Sequence, residues 1–454
     1  MIAAFESPRM RVFVDPGTYG MSNLGDIAML QIAIRRLRSL WPNAVFSVMT
    51  ENPAVLDKYC PGVLPVPVSG LREWLVDHPL LGSAGKLLPE PVGRFLRDGE
   101  RIARNRFPKV TRTYLQARTA SHGCATSNLT AFLDSLEDSD LLVISGQGSI
   151  NDAHRKHALQ VMNLLECAIF MGIPTVMVGQ GIGPIHDDEL FRRAECVLPR
   201  VDIIGVRDRR YSIPLLLELG TEVDRVAFTG DAAVEFAYLR RSPTIGHAMG
   251  VSLRQGKSSQ FDETTIETIR PVILDFAARV NAPLLPVPIK IGTEKDDRSA
   301  LSLLLREPLK HDRSGGPVTP EESIQAISNA RVVVSGTYHA AVFALAQGIP
   351  TVCVSNSAYY DSKFGGLVDL FPNGSTLIRL HAGDDVRTIA HTLQRLWACA
   401  DELRPALLHD AETQIPLAHA AYSSIGMLIR ERRSLPRVLG SRAAYIGALQ
   451  NALL

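Results

Sequence analysis

In the second half of the chain, cations and one imidazole stand just beyond the ends of apolar runs. Val251-Ser252-Leu253 leads into Arg254-Gln255-Gly256-Lys257, and a later run ends in Ser335-Gly336-Thr337-Tyr338-His339. The run Thr351–Val354 is followed by Ser355–Ser357, Tyr359, Tyr360, Asp361 and Lys363. A guanidinium is a planar fork that fits a carboxylate or a phosphate, an ammonium adds a compact charge, and imidazole exchanges protons near neutrality. This set suits an anionic ligand and a proton transfer beside it. His154 and His157 have a helical spacing open to a metal, but no third ligand accompanies them, so no metal is expected.

The first half supplies Gly-rich loops: Gly17 to Asp26, with Asp26 reading as a helix cap, then Ser145 to Asp152, then Gly179 to Pro184. Such loops present backbone N–H groups to a ligand when they join a strand to a helix. None is a nucleotide fingerprint. The first lacks the Lys-Ser/Thr pair, and Gly179-Gln180-Gly181-Ile182-Gly183 lacks the dinucleotide spacing. Arg207 and Asp208 read equally as a pair, as a helix cap or as site residues, and Asp231 as an N-cap or as a carboxylate facing the cleft.

What positions these loops is a repeat of short apolar run, polar loop and helical segment, the pattern of a parallel sheet covered by helices. Strands are expected at Arg11–Val14, Val45–Met49, Leu141–Ile144, Thr175–Val178, Asp202–Val206 and Val226–Phe228, then at Met249–Leu253, Leu284–Val287, Arg331–Val334 and Thr351–Val354. Their largely continuous apolar character fits strands buried on both faces. Helices are expected over Thr264–Val280, Pro320–Ala330 and Tyr338–Gln347. In the first helix, Ile27, Leu30, Ile34 and Leu37 recur at helical spacing, with Arg35, Arg36 and Arg38 expected to face solvent.

At 454 residues the chain exceeds one ordinary core. A polar stretch at Tyr238–Gly246 divides it into a domain over 10–240, a second over 247–380 and a helical tail over 381–454, amphipathic at Val386–Leu396 and Ile415–Arg430. With 48 basic and 47 acidic residues, nothing global draws the chain onto nucleic acid. Six scattered cysteines read as reduced structural thiols, and no apolar stretch is long enough to span a membrane, which points to the cytoplasm. Residues 71–120 carry ten Lys/Arg against five Asp/Glu, with Trp74, Leu75, Phe95, Leu96 and Ile102 among them. This basic helical insertion reads either as a solvated helix pair or as a dock for a polyanionic or lipid-linked acceptor at the inner face of a membrane.

The ordered set Asn23-Leu24-Gly25-Asp26, Ser145-Gly146-Gln147-Gly148 with Asp152, Gly179-Gln180-Gly181-Ile182-Gly183-Pro184, Arg207-Asp208, Thr229-Gly230-Asp231 and Tyr338-His339-Ala340 through Gly348-Ile349-Pro350 to Lys363 resembles the polysaccharide pyruvyl transferase family. The resemblance implies an α/β fold of two Rossmann-like parallel-sheet domains facing a cleft, as in GT-B glycosyltransferases, with the helical tail appended. It implies transfer of pyruvate from phosphoenolpyruvate to two hydroxyls of a saccharide or lipid-linked saccharide as a cyclic ketal, releasing phosphate, with no cofactor. Arg254 and Lys363 are then expected to hold donor anions with Lys257 as a weaker third, and His339 to be the general acid. Asn23, Gly25, Asp26, Gly146, Gln147, Gly148, Asp152, Gln180, Gly181, Arg207, Asp231, Thr337 and Tyr338 are the further substrate-binding positions. Many family members resemble Arg-x-His where this chain has Thr337-Tyr338-His339. Either Lys363 or Arg207 replaces that charge, or the donor differs.

Two other functions fit the pattern. Gly336–Pro350 resembles the nucleotide-binding part of a sugar-nucleotide glycosyltransferase, although Ala340–Gln347 lacks the acidic residue that would hold ribose hydroxyls. The substitution at 337 also fits a non-catalytic saccharide- or anion-binding relative.

Overall fold

Two all-parallel sheets, one of seven strands and one of five, carry the chain. The structure is a computed structural model that describes residues 9–75, 89–121, 127–292, 296–310, 316 and 318–434.

The first half runs β1 (Arg11–Asp15), α1 (Leu24–Leu40), β2 (Val45–Thr50), α2 (Pro53–Tyr59), β3 (Leu64–Pro67), α3 (Val68–Trp74), α4 (Glu90–Arg106), α5 (Pro108–Ser121), α6 (Ser127–Glu137) and β4 (Leu141–Ile144). It continues α7 (Arg155–Met171), β5 (Thr175–Gln180), α8 (Asp188–Val197), β6 (Ile203–Val206), α9 (Ser212–Glu218), β7 (Val226–Phe228) and α10 (Ala232–Tyr238). The second half is β8 (Ala248–Ser252), α11 (Glu263–Arg279), β9 (Leu284–Pro286), α12 (Asp297–Leu305), α13 (Pro320–Ile327), β10 (Ala330–Ser335) and α14 (Tyr338–Ala346). After it come β11 (Thr351–Ser355), α15 (Ala358–Leu370), β12 (Ser375–Arg379), α16 (Arg387–Ala398) and α17 (Ala400–Ser434).

The strand orders locate the site. In the first sheet, β3-β2-β1-β4-β5-β6-β7, the chain winds outward from β1 through β2 and β3, then returns to β1's other side as β4. In the second, β12-β11-β10-β8-β9, the same reversal falls between β8 and β10. At such a reversal the two following loops diverge to opposite faces and leave a crevice beyond the strand ends. Each sheet therefore has one crevice, at β1/β4 and at β8/β10.

The halves are joined by packing and by backbone pairing. Small residues on α10 (Ala233, Ala237) and α14 (Ala340, Ala341, Ala344) share one buried cluster with Ala28 and Met29 of α1. Their lack of bulk lets three helices approach closely. The loop before α1 pairs with the segment after β9: Leu24 N donates to Ile289 O at 2.9 Å and Ile291 N to Ser22 O at 2.8 Å. From the second half, α17 crosses back to the first. Its Tyr422, Ile425 and Ile429 enter the core beneath β1 and β5, and Arg432 pairs with Asp202 at 2.6 Å.

Several sequence expectations need correcting. β3 and β12 were not anticipated, because β3 carries two prolines and β12 is half polar; both are edge strands, where a missing N–H leaves no partner unpaired. The α1 arginines do not simply face solvent: Arg35 and Arg36 both bind the buried carboxylate of Glu235 on α10. That is possible because α1 is buried on two sides, by the sheet and by α10. Residues 358–370, outside the expected helices, form a helix capped by Ser357, whose hydroxyl accepts from Tyr360 N at 3.3 Å. Cys60, Cys167 and Cys353 are buried free thiols, and burial pushes the first two up to about 12. Cys124 and residues 76–88 and 435–454 lie outside the described residues.

The insertion is fastened by charge. Glu166 of α7, buried, receives Arg101 and Asn105 of α4, the latter at 3.0 Å, and both outer nitrogens of Arg193 of α8 at 3.2 Å. Burial alone would raise this carboxyl; Arg193 and Arg101 overcome it and hold it at about 2. Glu166→Gln should cost about 3–5 kcal/mol, because it strands buried guanidinium charge. The depressed value makes this contribution complete above the ordinary 4.5 and lost as pH falls through 4.5 toward 2. Urea midpoints measured across that range should fall for the wild type, while the Gln variant, already weak, should lack that component.

Candidate active site

The site begins with Asp15, the last residue of β1. Buried, it accepts from Gly17 N at 2.8 Å and from Tyr19 OH at 3.3 Å, and so folds the β1–α1 loop back over the strand end. Gly17 has φ +72°, and a Cβ there would lie 2.1 Å from Gln147 Oε1, so only glycine fits against the β4 loop. Asn23, not Asp26, caps α1, its side chain accepting from Gly25 N at 3.0 Å. The helix starts at Leu24, which places Asp26 in the first turn, where Thr18 Oγ1 donates to its carboxylate.

The β4 loop is the facing wall. Gln147 Oε1 lies 2.9 Å from His157 Nε2 on α7, and Gly148 O accepts from Tyr359 OH of α15 at 2.7 Å, a bond across the two halves. At 148 a Cβ would meet Arg207 Nη2 at 2.4 Å and Lys363 Cε at 2.9 Å, so any side chain there would displace both cations. Closest of all is Gly25 against His339, where a Cβ would sit 1.9 Å from the imidazole Cγ. The N-terminal turns of α1 and α14 thus meet with no space for a side chain.

Cations surround the space so formed. Arg207, nearly fully buried, pairs through Nη1 with Asp231 at 3.1 Å and stacks 4.1 Å from the Tyr338 ring centre, while Nη2 has no hydrogen-bond partner among the described residues. Arg254 makes a two-pronged bond to Asp297, Nε at 2.7 Å and Nη2 at 2.9 Å. Asp297 also accepts from Ile289 N and Lys290 N at 3.0 and 2.7 Å, so one carboxylate fixes both Arg254 and the Lys290 loop. Lys363 Nζ lies among three rings, 4.8 Å from Tyr359, 5.4 Å from Tyr338 and 5.7 Å from Tyr360. The cavity measures about 320 Å³.

Electrostatics set the protons. Burial, and then Arg207, Lys363 and Arg254, hold His339 well below the ordinary imidazole value, so it is neutral near pH 7. Its Nδ1 is 3.9 Å from Asp26 and its Nε2 3.9 Å from Asp231. Asp26 moves the other way: burial raises its carboxyl, against the pull of Thr18 and the nearby cations. Burial and Arg207 lower Lys363, with Asp26 opposing them. Neighbouring groups pushed in opposite directions are the usual setting of an acid and a base.

Of the residues singled out from sequence, Asn23, Asp26, Gln147, Gly148, Arg207, Arg254, Tyr338, His339 and Lys363 line this cavity. Asp231 stands behind Arg207 while capping α10, with Ala233 N at 2.9 Å. Arg207 and Asp208 do not pair with each other; Asp208 caps α9 through Tyr211 N and Ser212 N at 2.8 and 2.9 Å. Gly25, Gly146 and Gly181 are close-approach positions, and Gln180 is buried, donating to the carbonyls of Ile144, Ser145 and Val178. None of Asp231, Gly25, Gly146, Gly181 and Gln180 lines the cavity, and three further expectations fail on geometry. Lys257 is exposed and does not line the cavity. Asp152 turns away to accept from His186 N and Asp187 N at 2.7 and 3.1 Å. Thr337 is buried with its hydroxyl 2.7 Å from Ser252 Oγ, so it does not reach the cavity.

Gly17, Thr18, Ser22 and Ser149 of the Gly-rich loops line it too, as do His154, His157, Tyr359 and Tyr360, while Ser258, Ile289 and Lys290 complete the lining and were missed. Lys290 lies just beyond β9 and could have been found by the same strand-end rule that found Arg254. His154 bonds Asn151 at 3.1 Å, and burial, Lys363 and His157 lower it to about 4.

The sequence model of the family described as polysaccharide pyruvyl transferase matches residues 23–358. No curated protein matches the chain. Among solved structures, the UDP-GlcNAc 2-epimerase of Neisseria meningitidis bound to UDP-GlcNAc aligns with TM-score 0.54 at 11% identity, covering 93% of this chain and 100% of that one. A putative UDP-N-acetylglucosamine 2-epimerase from Listeria monocytogenes aligns with TM-score 0.53 at 9% identity, covering 95% and 98%. At these identities the likeness concerns the two-lobed fold.

The contact between Gly25 and His339 makes Gly25→Ala informative. It should destabilise the protein by about 1–3 kcal/mol through overpacking, read as a lower Tm. Gly99→Ala, at an open helical position on α4, should cause no such loss.

Proposed function

Because the chain belongs to the polysaccharide pyruvyl transferase family, we propose that it moves pyruvate from phosphoenolpyruvate to two hydroxyls of a saccharide acceptor, closing a cyclic ketal and releasing phosphate. One observation carries this reading: Arg207, Arg254, Lys290 and Lys363 line one small cavity beside a neutral imidazole and a carboxyl of raised proton affinity. A donor bearing a carboxylate and a phosphate relieves that excess of positive charge. Arg207, with its unpartnered Nη2, and Lys363 supply the charge that position 337 lacks.

The reaction needs one proton at the methylene carbon and loses two from the acceptor. In the proposed sequence Asp26 delivers the first to C3, making a methyl group and a cationic C2 that the first hydroxyl attacks. His339, neutral, takes that hydroxyl's proton. Its proton affinity rises with the donor bound, since donor anions offset Arg207, Lys363 and Arg254. The C2–O bond to phosphate then breaks, the second hydroxyl attacks C2, and its proton leaves with hydrogen phosphate. The proton on His339 returns to Asp26 across the 3.9 Å gap, with small rotations of either side chain. This differs from the expectation that His339 is the resting acid, because the buried cationic surroundings keep it deprotonated.

Phosphorus NMR of protein, phosphoenolpyruvate and a panel of saccharides tests the reading. Acceptor-dependent phosphate is expected; a thermal shift with UDP or GDP and none with phosphoenolpyruvate would replace it with a sugar-nucleotide reaction. Asp26→Asn should lower kcat by about 10²- to 10⁴-fold with little change in donor KM. Lys363→Ala should mainly raise donor KM. Since Lys363 is depressed below the ordinary 10.5, its charge is present below the lowered value, and kcat/KM should fall as pH rises through it. Lys363→Arg should move that alkaline limb upward.

A further inference from the structure

Helix α4 is inside out. Gly93, Glu100, Arg104 and Asn105 are buried, whereas Val92, Phe95, Gly99, Ala103 and Arg106, a stripe at helical spacing, are exposed. A helix on a water-facing surface normally does the reverse. The cause is visible: Asn105 and Arg101 are committed to Glu166, and Arg104 to the carbonyl of Trp74, so the charged side must face inward. The apolar stripe continues onto α5. Phe95 is 67% exposed, Phe107 59% and Val110 70%, followed by Tyr114. Phe95, Phe107 and Tyr114 are the exposed large aromatic residues among those described.

We propose that this face, from Val92 to Tyr114, docks on an anionic lipid surface. The charges on it decide among occupants. Arg106 and Lys109 are exposed beside the aromatic residues, while Asp98, the nearby acid, is paired with Arg101 at 3.0 Å. A second copy across a two-fold axis would bring the same cations against each other, which opposes a dimer here. Anionic headgroups instead meet Arg106 and Lys109, and the phenylalanines enter the acyl boundary, the arrangement of an in-plane interfacial helix. No helix among the described residues is long and apolar enough to cross a membrane, so the contact is peripheral. Surface binding is independent of the donor chemistry and is read without turnover.

The full chain is sedimented with vesicles of phosphatidylcholine alone and of an equal mixture of phosphatidylcholine and phosphatidylglycerol, at low and high salt. Retention on the anionic vesicles, weakened by salt, is expected. Phe95→Ser with Phe107→Ser should reduce it by about tenfold or more at unchanged Tm, and Lys109→Glu by about fivefold. No retention at low salt, retention untouched by both sets of substitutions, or a solution dimer that the double Phe variant dissociates would each overturn the proposal.

Discussion

Crowding of like charge around a buried imidazole is the constraint on which the rest of the structure turns. Arg207, Arg254 and Lys363 repel one another in a space of low polarity, and a folded chain tolerates this only with fixed counter-charges. Asp231 and Asp297 supply them, each tied to backbone as well: Asp231 caps α10, and Asp297 holds the N–H groups of Ile289 and Lys290. Neither carboxylate lines the cavity, so the cations are held in place while their field still points into it. Burial, and then this field, keeps His339 neutral and weakens Lys363.

The two-sheet architecture makes this arrangement possible. Each sheet alone has a crevice at its reversal of winding, one bordered by loops that carry few charges and the other by Arg254 and His339. Pressing α1 against α14 merges the crevices. Gly25 lets that happen, and the alanines of α10 and α14 extend the close fit. The chain then closes the assembly with α17 and with the strand-like pairing of Asn23 and Lys290. Elements remote from the cavity thereby position its walls, and the Tyr359–Gly148 bond ties α15 to the β4 loop.

The insertion obeys a different balance. Helix α4 surrenders its usual orientation because Glu166 needs guanidinium partners and α4 provides Arg101, helped by Arg193 of α8. Burying charge next to charge outweighs burying Phe95 and Val92, which therefore stay in solvent. A local amphipathic pattern gives the width of such a stripe, and the partner across the interface decides which side faces in.

Much of the sheet framework could be read from the chain alone, since continuous apolar runs such as Leu141–Ile144 and Thr351–Val354 have few stable places except covered parallel strands. The edge strands β3 and β12 and helix α15 could not, because β3 and β12 bury too little to carry a pattern. The strand-end rule found Arg254, His339 and Lys363 from their positions in sequence, and it stopped short at Lys257, Asp152 and Thr337, whose side chains share those loops but point elsewhere. Side-chain direction at a loop depends on partners far along the chain, such as Ser252 for Thr337, 85 residues away. Residue type and order thus determined the family, the two lobes and the chemical repertoire. Which cations converge, that the imidazole is uncharged, and which face of α4 meets solvent were decided only when the two halves packed, because charge and burial are properties of neighbours in space.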